Sequence, residues 1–359
     1  SNLGNILRDL GKLKDAEIST RKAIKIKPDF ANAYSNLGNI LLDLGKLDEA
    51  EIFQSKSIEL KPSFAQAYSN LGNIQRDLGK LEEAEISINR AINLKPNLRE
   101  AYFNLSYIQL LKGDYESGLI NYEYRNKVSN IHGSPNIQQY NNSKLSKRDN
   151  LLVISEQGLG DTLQQMRYIP YLRKIGLNIS FCAQEKLHSL IKQSGIDPNP
   201  IAPNEVSKIS EGQWIPMLSL LKYLKVNPNN PIISRPYIFP NAELIKKWKD
   251  LLKQKRKSII GINWQGNPKS ENGSQKGRSF PLETFSTIAN NKNIKLVSLQ
   301  KGFGSEQLEK CSFKNKFVMC QSEIDSTWDF LENAAIIAAC DLIITSDTSI
   351  AHLAGGIGK

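Results

Sequence analysis

The sequence predicts two architectures in one chain: an all-α repeat array over residues 1–125, followed by a pair of α/β units built on parallel sheets. Three observations predict this. The first third repeats itself every 34 residues. Residues 126–150 are polar, with repeated Asn and Ser and few large apolar side chains. From residue 151 onward, short apolar runs alternate with helix-like segments.

The repeats come first. The stretch "SNLGNILRDLGKLKDAEISTRKAIKIKP" at 1–28 recurs at 35–62 and 69–96, and a degenerate copy occupies 103–125. Within each copy, apolar residues fall at helical spacing in two segments, such as 33–44 and 47–60. Gly45 stands where the first helix must stop, and Pro62 lies just past the second and prevents its continuation. Gly38 and Ala50 are small where two paired helices would approach. One helix pair cannot bury its apolar face alone, whereas stacked copies can. The fourth copy has Ser106 in place of Gly and gains Tyr102, Phe103, Tyr107, Tyr115, Tyr122 and Tyr124; it reads as the last repeat, packing against the region C-terminal to it. The spacing of Leu37, Gly38, Leu41, Gly45, Ala50 and Pro62 resembles the tetratricopeptide repeat.

Asn2, Asn36, Asn70 and Asn104 keep the 34-residue period into the degenerate copy, and Asn5, Asn39 and Asn73 keep it in three. Asn offers both a donor and an acceptor and can hold a peptide backbone without reading its sequence. The array then looks like the asparagine-lined superhelix of O-linked N-acetylglucosamine transferase repeats, which implies a peptide-binding groove along Asn2, Asn36, Asn70 and Asn104. Duplication without use of these positions is the alternative.

Residues 126–150 read as a linker, partly ordered against the repeats through Ile131 and Tyr140. Strand-like runs occur at 151–155, 178–182, 258–263, 294–299 and 341–345, with helix-like segments at 162–175, 185–194, 242–255, 282–290 and 328–340. A Pro- and Asn-rich connector at 227–240 divides the region into units at 151–226 and 241–359. Two such units facing a cleft is the architecture of GT-B glycosyltransferases, although alternation alone fits many doubly wound enzymes.

Motifs narrow the choice. "SEQGLGDTLQQMRYIPYL" (155–172), "GINWQGNP" (261–268), "KGRSFPLETF" (276–285), "SLQKG" (298–302) and "CDLIITSDTSIAHLAGGIGK" (340–359) succeed one another. Together they resemble the glycosyltransferase half of bacterial tetratricopeptide-repeat proteins, which is similar to family-9 transferases such as the lipopolysaccharide heptosyltransferases. The resemblance implies a GT-B-type pair of Rossmann-like domains, the last one truncated, since the family continues past Lys359 with a Pro and another strand. It also implies a glycosyltransferase that moves a sugar from a nucleotide-diphosphate donor to an acceptor hydroxyl by inverting chemistry.

Physical reading assigns the residues. The loop 155–161, with Glu156, Gln157, Gly158 and Gly160, lacks the third glycine of a dinucleotide fingerprint and carries two acids, Glu156 and Asp161, which argues against a phosphate cradle. It is expected to form the acceptor side of the cleft, with Asp161, which matches the family's catalytic Asp, as the base that takes the acceptor proton; the alternative is a helix cap. A strand running into Ser346, Asp347, Thr348, Ser349 and a helix can hold a diphosphate at the helix N-terminus. Asp347, Thr348, His352 and Leu353 match the heptosyltransferase segment that does this, with Ser349 in place of a Gly. The alternative is a capped core helix. Arg278 and Lys301 are candidates to neutralise charge on the departing diphosphate, against solvated surface charges. Trp264, Gln265 and Asn267 stand just past a strand end, where ligands bind in such sheets. The segment 268–277 is expected to be mobile and to close over the donor.

Bulk properties set limits. Hydrophobic content of 40% and charged content of 23% are ordinary for a globular protein. No apolar run long enough for a membrane span occurs. A net charge of +11 favours an anionic partner such as a nucleotide, or else reflects a Lys-rich solvated surface. Aromatic–basic interleaving and zinc spacing are lacking, so nucleic acid is not expected. Cys182, Cys311, Cys320 and Cys340 show no CxxC spacing and read as free thiols in a reducing compartment. No acidic cluster has clear metal-ligand spacing, so no metal or other cofactor is expected beyond the nucleotide sugar as substrate. The expected partners are a protein or peptide on the repeats and a glycan or protein acceptor. The expected compartment is the cytoplasm, with peripheral attachment to the inner membrane as a variant. The competing reading is a protein-binding scaffold whose transferase half is degenerate or only binds nucleotide.

Overall fold

A computed structural model describes residues 2–125, 131–140, 146–253, 257–268, 271 and 277–359. The chain forms two compact units, one made of the repeats and one of the α/β region.

The repeat unit contains α1 (Asn2–Asp9), α2 (Leu13–Ile26), α3 (Ala31–Asp43), α4 (Leu47–Leu60), α5 (Ala65–Asp77), α6 (Leu81–Leu94), α7 (Arg99–Leu111) and α8 (Tyr115–Tyr122). Gly45 ends α3 as the sequence predicts: it takes φ +77°, its N–H bonds to the Leu42 carbonyl, and the next N–H, on Lys46, reaches back to Leu41. Gly11, Gly79 and Gly113 repeat this left-handed stop. Within a pair, a Cβ on Gly38 would sit 2.7 Å from Gln54 Oε1 and 3.3 Å from the Ala50 carbonyl, so a side chain here would displace Gln54 and crowd the facing helix. The fourth copy inverts the arrangement. Ser106 takes the glycine position, and Gly118 replaces the alanine at the equivalent site of the facing helix. The aromatics of this copy pack on one another, with Tyr102 stacked on Tyr124 at 4.5 Å and Phe103 against Tyr107 at 5.0 Å. The first helices of neighbouring pairs touch directly (α1 with α3, α3 with α5, α5 with α7), so they line the inner side, and the second helices α2, α4, α6 and α8 form the outer side.

The α/β unit holds two parallel sheets. The first comprises β1 (Gln138–Gln139), β2 (Asn150–Ile154), β3 (Asn178–Cys182) and β4 (Gln213–Pro216) in the order β1-β4-β2-β3. Its helices are α9 (Leu159–Gln165), α10 (Tyr168–Lys174), α11 (His188–Gln193) and α12 (Leu220–Tyr223). The second has α13 (Ala242–Leu252), β5 (Ser258–Asn263), α14 (Ser286–Ala289), β6 (Ile294–Ser298), α15 (Gln321–Asp325), α16 (Phe330–Ala339), β7 (Leu342–Thr345) and α17 (Ser349–Ile357), with strand order β6-β5-β7. The five strands read from apolar runs are present. β4 was not expected: "QWIP" is short and ends in Pro, so only its place between β1 and β2 makes it a strand.

Two expectations are revised. Part of the proposed linker belongs to the first sheet. β1 pairs with β4, Ile131 bridges to Glu156 and packs with Leu152 and Ile154, and Tyr140 is buried edge-on to Tyr223. Ile131 and Tyr140 thus serve the α/β core, whereas their sequence pattern set them against the repeats. The helix expected over 162–175 is broken into α9 and α10, because Pro170 has no N–H to give the Met166 carbonyl and the turn before it loosens.

Candidate functional site

In both sheets the chain leaves the central strand in one direction and later returns to its other side. From β2 it passes to β3, then back to β4; from β5 it passes to β6, then back to β7. Each reversal opens a crevice at the C-terminal strand ends, where ligands of open α/β sheets bind. The loop 155–161 leaves β2 at the first crevice, and Ser346–Ser349 leaves β7 at the second.

These two loops meet. The start of α9 lies against the start of α17, so that a Cβ on Gly160 would stand 2.8 Å from His352 Cδ2 and 3.5 Å from Ser349 Cα. Tyr237 and Ile238 of the connector hold the contact: both N–H groups bond to the Gly356 carbonyl, and Tyr237 Oη donates to the Leu163 carbonyl at 2.8 Å. The Arg167 guanidinium covers the Tyr237 ring at 4.7 Å.

In the first loop, Gln157 is exposed and is the left-handed residue, at φ +60°. Neither Gly158 nor Gly160 has positive φ, so Gly160 is explained by the close approach to His352. Asp161 Oδ2 accepts the Gly158 N–H at 3.0 Å, the cap that the sequence left as the alternative for this side chain. Glu156 does not face the crevice. It is buried, and its Oε1 accepts the Leu218 N–H at 2.9 Å, tying the end of β2 to the turn after β4.

At the second crevice the organiser is a residue inside the "GINWQGNP" motif to which the sequence pattern assigned no role. Asn263, the last residue of β5, is buried, and its Oδ1 accepts from Thr345 Oγ1 (3.3 Å), Ser346 Oγ (3.3 Å) and Thr348 Oγ1 (3.0 Å). Its Nδ2 donates to Gln300 Oε1 at 2.9 Å, and that oxygen also takes the N–H groups of Trp264 and Gln265. Gln300 Nε2 donates to the carbonyls of Gln265 and Phe303. The Ser346 and Thr348 hydroxyls, expected on a diphosphate, are thus turned inward onto Asn263. Thr348 Oγ1 also caps α17 through the Ile350 N–H. Asp347 is exposed, with Oδ1 4.0 Å from His352 Nε2. Ser349 opens the helix. A Ser, Thr or Asn at each of two adjacent strand ends was the only signal in the sequence, and pairing of Asn263 with Thr345 is what joins them.

Trp264 and Lys301 are placed elsewhere than expected. Trp264 is 0% exposed, packs among Leu282, Phe285 and Leu296, and donates Nε1 to the Gly304 carbonyl at 3.2 Å; it is core and cannot line a donor site. Lys301 Nζ donates to the Ile324 carbonyl and, at 3.4 Å, to Thr327 Oγ1. Burial pushes its pKa down, against the opposing pull of Asp325 and Glu332. Arg278 lies over Gly266 and faces Glu271, with Nε 3.5 Å from Oε1, and this Nε is buried without a hydrogen bond. Asn267 is exposed on the same loop. Most of the segment 268–277 lies outside the described residues. Among the described residues no three His, Cys, Asp or Glu side chains gather as a metal site would require.

In the repeats, the Asn row is only partly available. Asn70 and Asn104 are buried, and each donates Nδ2 to a serine hydroxyl of the preceding copy: Asn70 to Ser35 at 3.3 Å, Asn104 to Ser69 at 3.0 Å. These two asparagines bind repeat to repeat, which corrects their assignment to a peptide groove. Asn2 is exposed and Asn36 half-buried.

A model described as "TPR repeat" matches residues 4–45, and one described as "Tetratricopeptide repeat" matches residues 29–97. Residues 4–97 are tetratricopeptide repeats. Among solved structures, MamA is similar at 24% identity over 34% of this chain and 72% of its own, with a TM-score of 0.31. The first TPR of Spaghetti (RPAP3), bound to the HSP90 peptide SRMEEVD, is similar at 29% identity over 31% of this chain and 88% of its own, with a TM-score of 0.30. The second TPR domain of human RPAP3, in complex with the HSP70 peptide SGPTIEEVD, is similar at 28% identity over 30% and 90%, with a TM-score of 0.29. No curated protein matches the chain. No helix among the described residues is long and apolar enough to cross a membrane.

Proposed function

We propose that the α/β unit is a glycosyltransferase using a nucleotide-diphosphate sugar, and that the repeats bind a protein or peptide. The observation that supports this reading is the meeting of the two crevices at Gly160, Ser349 and His352, which sets Asp161 beside the start of α17. The net charge fits. The repeats hold equal numbers of acidic and basic residues, so the whole +11 belongs to residues 126–359, where an anionic donor would bind.

In this reading, an acceptor hydroxyl oxygen attacks the anomeric carbon as the bond to the diphosphate breaks. The electron pair leaves on the phosphate oxygen, and the acceptor proton passes to Asp161. The N-terminal dipole of α17 and the Arg278 guanidinium stabilise the departing charge. Ser346 and Thr348 act indirectly, fixing the start of α17 through Asn263. One base and direct displacement invert the anomeric centre, without need of a metal. A glycan or a protein serves as acceptor. On the inner face of the repeats, Asn32, Asn36, Asn39 and Gln66 are not fully buried and are the side chains assigned to a peptide.

The test is turnover of a panel of sugar nucleotides by the full chain, wild type against Asp161→Asn. Asn can still accept the Gly158 N–H, so the loop is kept. The expected loss is about 100-fold or more, the range for a general base. Equal rates would remove Asp161 from the mechanism. A second reading, a protein-binding scaffold whose α/β unit only binds nucleotide, is favoured by the inward use of Glu156, Lys301, Ser346 and Thr348. Nucleotide binding without turnover across the panel would select it.

A further inference from the structure

The outer side of the repeats carries a pattern that neither the fold nor the proposed reaction uses. Ile18, Ile52, Ile86 and Ile120 recur every 34 residues on α2, α4, α6 and α8, and they are 69%, 65%, 70% and 49% exposed. Single exposed apolar residues are ordinary on a protein surface, but a row of them in register marks an interaction face. Duplication alone does not account for the row. The fourth copy has lost its close-approach Gly, its Pro and most of its surface residues, yet it keeps Ile120.

The row has charged borders. Three residues before each of the first three isoleucines stands an acid (Asp15, Glu49, Glu83), and four residues after it a base (Lys22, Lys56, Arg90). These spacings put acid, Ile and base on one helix face, about one turn apart. Acids in a helix's first turn answer the helix dipole; an exposed isoleucine in mid-helix has no such explanation. Ion pairs tie the start of α4 to α2 (Lys46 to Glu17 at 3.1 Å) and the start of α6 to α4 (Lys80 to Glu51 at 2.7 Å), and Lys112, at the end of α7, reaches Glu85 of α6 at 2.6 Å. The face therefore presents three parallel bands, acidic, apolar and basic, in which Glu49 also pairs with Arg21 at 3.0 Å and Lys56 with Glu59 at 2.6 Å on the exposed surface.

We infer that this face binds a second copy of the same chain. The bands are self-complementary. A two-fold axis along the stacking direction lays isoleucine on isoleucine and the acidic band of each copy on the basic band of the other; an axis along the helices would set acid on acid. Isologous contacts of this kind are the commonest route to a homodimer. The repeats carry no net charge, so two copies approach without long-range repulsion between these units.

Sedimentation of the full chain from about 1 to 100 μM tests this, a span that resolves micromolar dimers. Wild type should dimerise, and Ile52→Asp with Ile86→Asp should weaken the dimer about 100-fold or abolish it, as loss of central apolar contacts does, with an unchanged helical circular dichroism spectrum. Two charge variants make the test specific. Lys22→Glu, Lys56→Glu and Arg90→Glu give an all-acidic face; Asp15→Lys, Glu49→Lys and Glu83→Lys give an all-basic one. Each alone should be monomeric, and the two mixed should form a heterodimer. A monomeric wild type, a dimer indifferent to the isoleucines, or charge variants that fail to pair when mixed would overturn the inference. A wild type that captures a different protein but never itself counts among the overturning results.

Discussion

The contact between the two crevices can be tested without any substrate. Gly160→Ala adds a Cβ 2.8 Å from His352 Cδ2, 3.5 Å from His352 Nε2 and 3.5 Å from Ser349 Cα. Carbon atoms settle at about 3.5–4.0 Å, so the ring must retreat by roughly 1 Å or the two helices must part. Overpacking of this kind costs about 1–3 kcal/mol. Alanine's better helix propensity returns at most about 1 kcal/mol, and less in the first turn of α9. The expected net loss is about 0.5–2 kcal/mol, which for a unit of this size lowers Tm by about 2–4 °C per kcal/mol. All four tryptophans, Trp214, Trp248, Trp264 and Trp328, lie outside the repeats, so intrinsic tryptophan fluorescence reports on the α/β unit alone. The decisive measurement is the cycle with His352→Ala. Removing the ring should make Gly160→Ala nearly neutral, leaving an interaction energy of about 1 kcal/mol between the two positions. If Gly160→Ala costs as much in the His352→Ala background as in wild type, the two loops do not meet as described.

Three further outcomes are expected. Gln300→Ala strips the Asn263 Nδ2 and the Trp264 and Gln265 N–H groups of their shared acceptor; a loss of about 3 kcal/mol or more is expected, since each of the three orphaned groups costs about 1–3 kcal/mol, and chemical denaturation monitored by tryptophan fluorescence reads it. Asn104→Ala should destabilise the repeats by about 1 kcal/mol through the lost bond to Ser69, seen by circular dichroism, while Asn36→Ala should weaken peptide binding. Burial pushes the Cys182 and Cys340 thiols up to about 12. Both should therefore resist an aromatic disulfide reagent at pH 8 in the native protein and react after denaturation. Because the folded values lie above the unfolded ones, their contribution is complete below about pH 9 and is lost as pH rises toward 12. Rapid native labelling of both would contradict the buried environment.

The two architectures were legible in the sequence for separate reasons. A 34-residue repeat states its stops and close approaches locally: Gly45 ends a helix through its own φ, and Gly38 admits a neighbour within the same copy. The strands at 151–155 and 258–263 announce themselves because both faces are buried and the run is almost wholly apolar. β4 and the contribution of residues 131–140 were not legible, since their structure comes from partners distant in the chain.

For the candidate site, the sequence by itself determined which loops stand at strand ends and where α17 begins. It could not determine the direction of a side chain. Glu156, Trp264, Lys301, Ser346 and Thr348 have the chemistry of a ligand site, yet each spends its polar atoms on a partner inside the chain, as Asn70 and Asn104 do between repeats. Only the tertiary structure decided this, because a buried polar group must be paired where it lies, and the nearest partner depends on which strands and helices have been brought side by side. The same packing made Asn263 the hub of the second crevice and brought Gly160 against His352, 192 residues later in the chain.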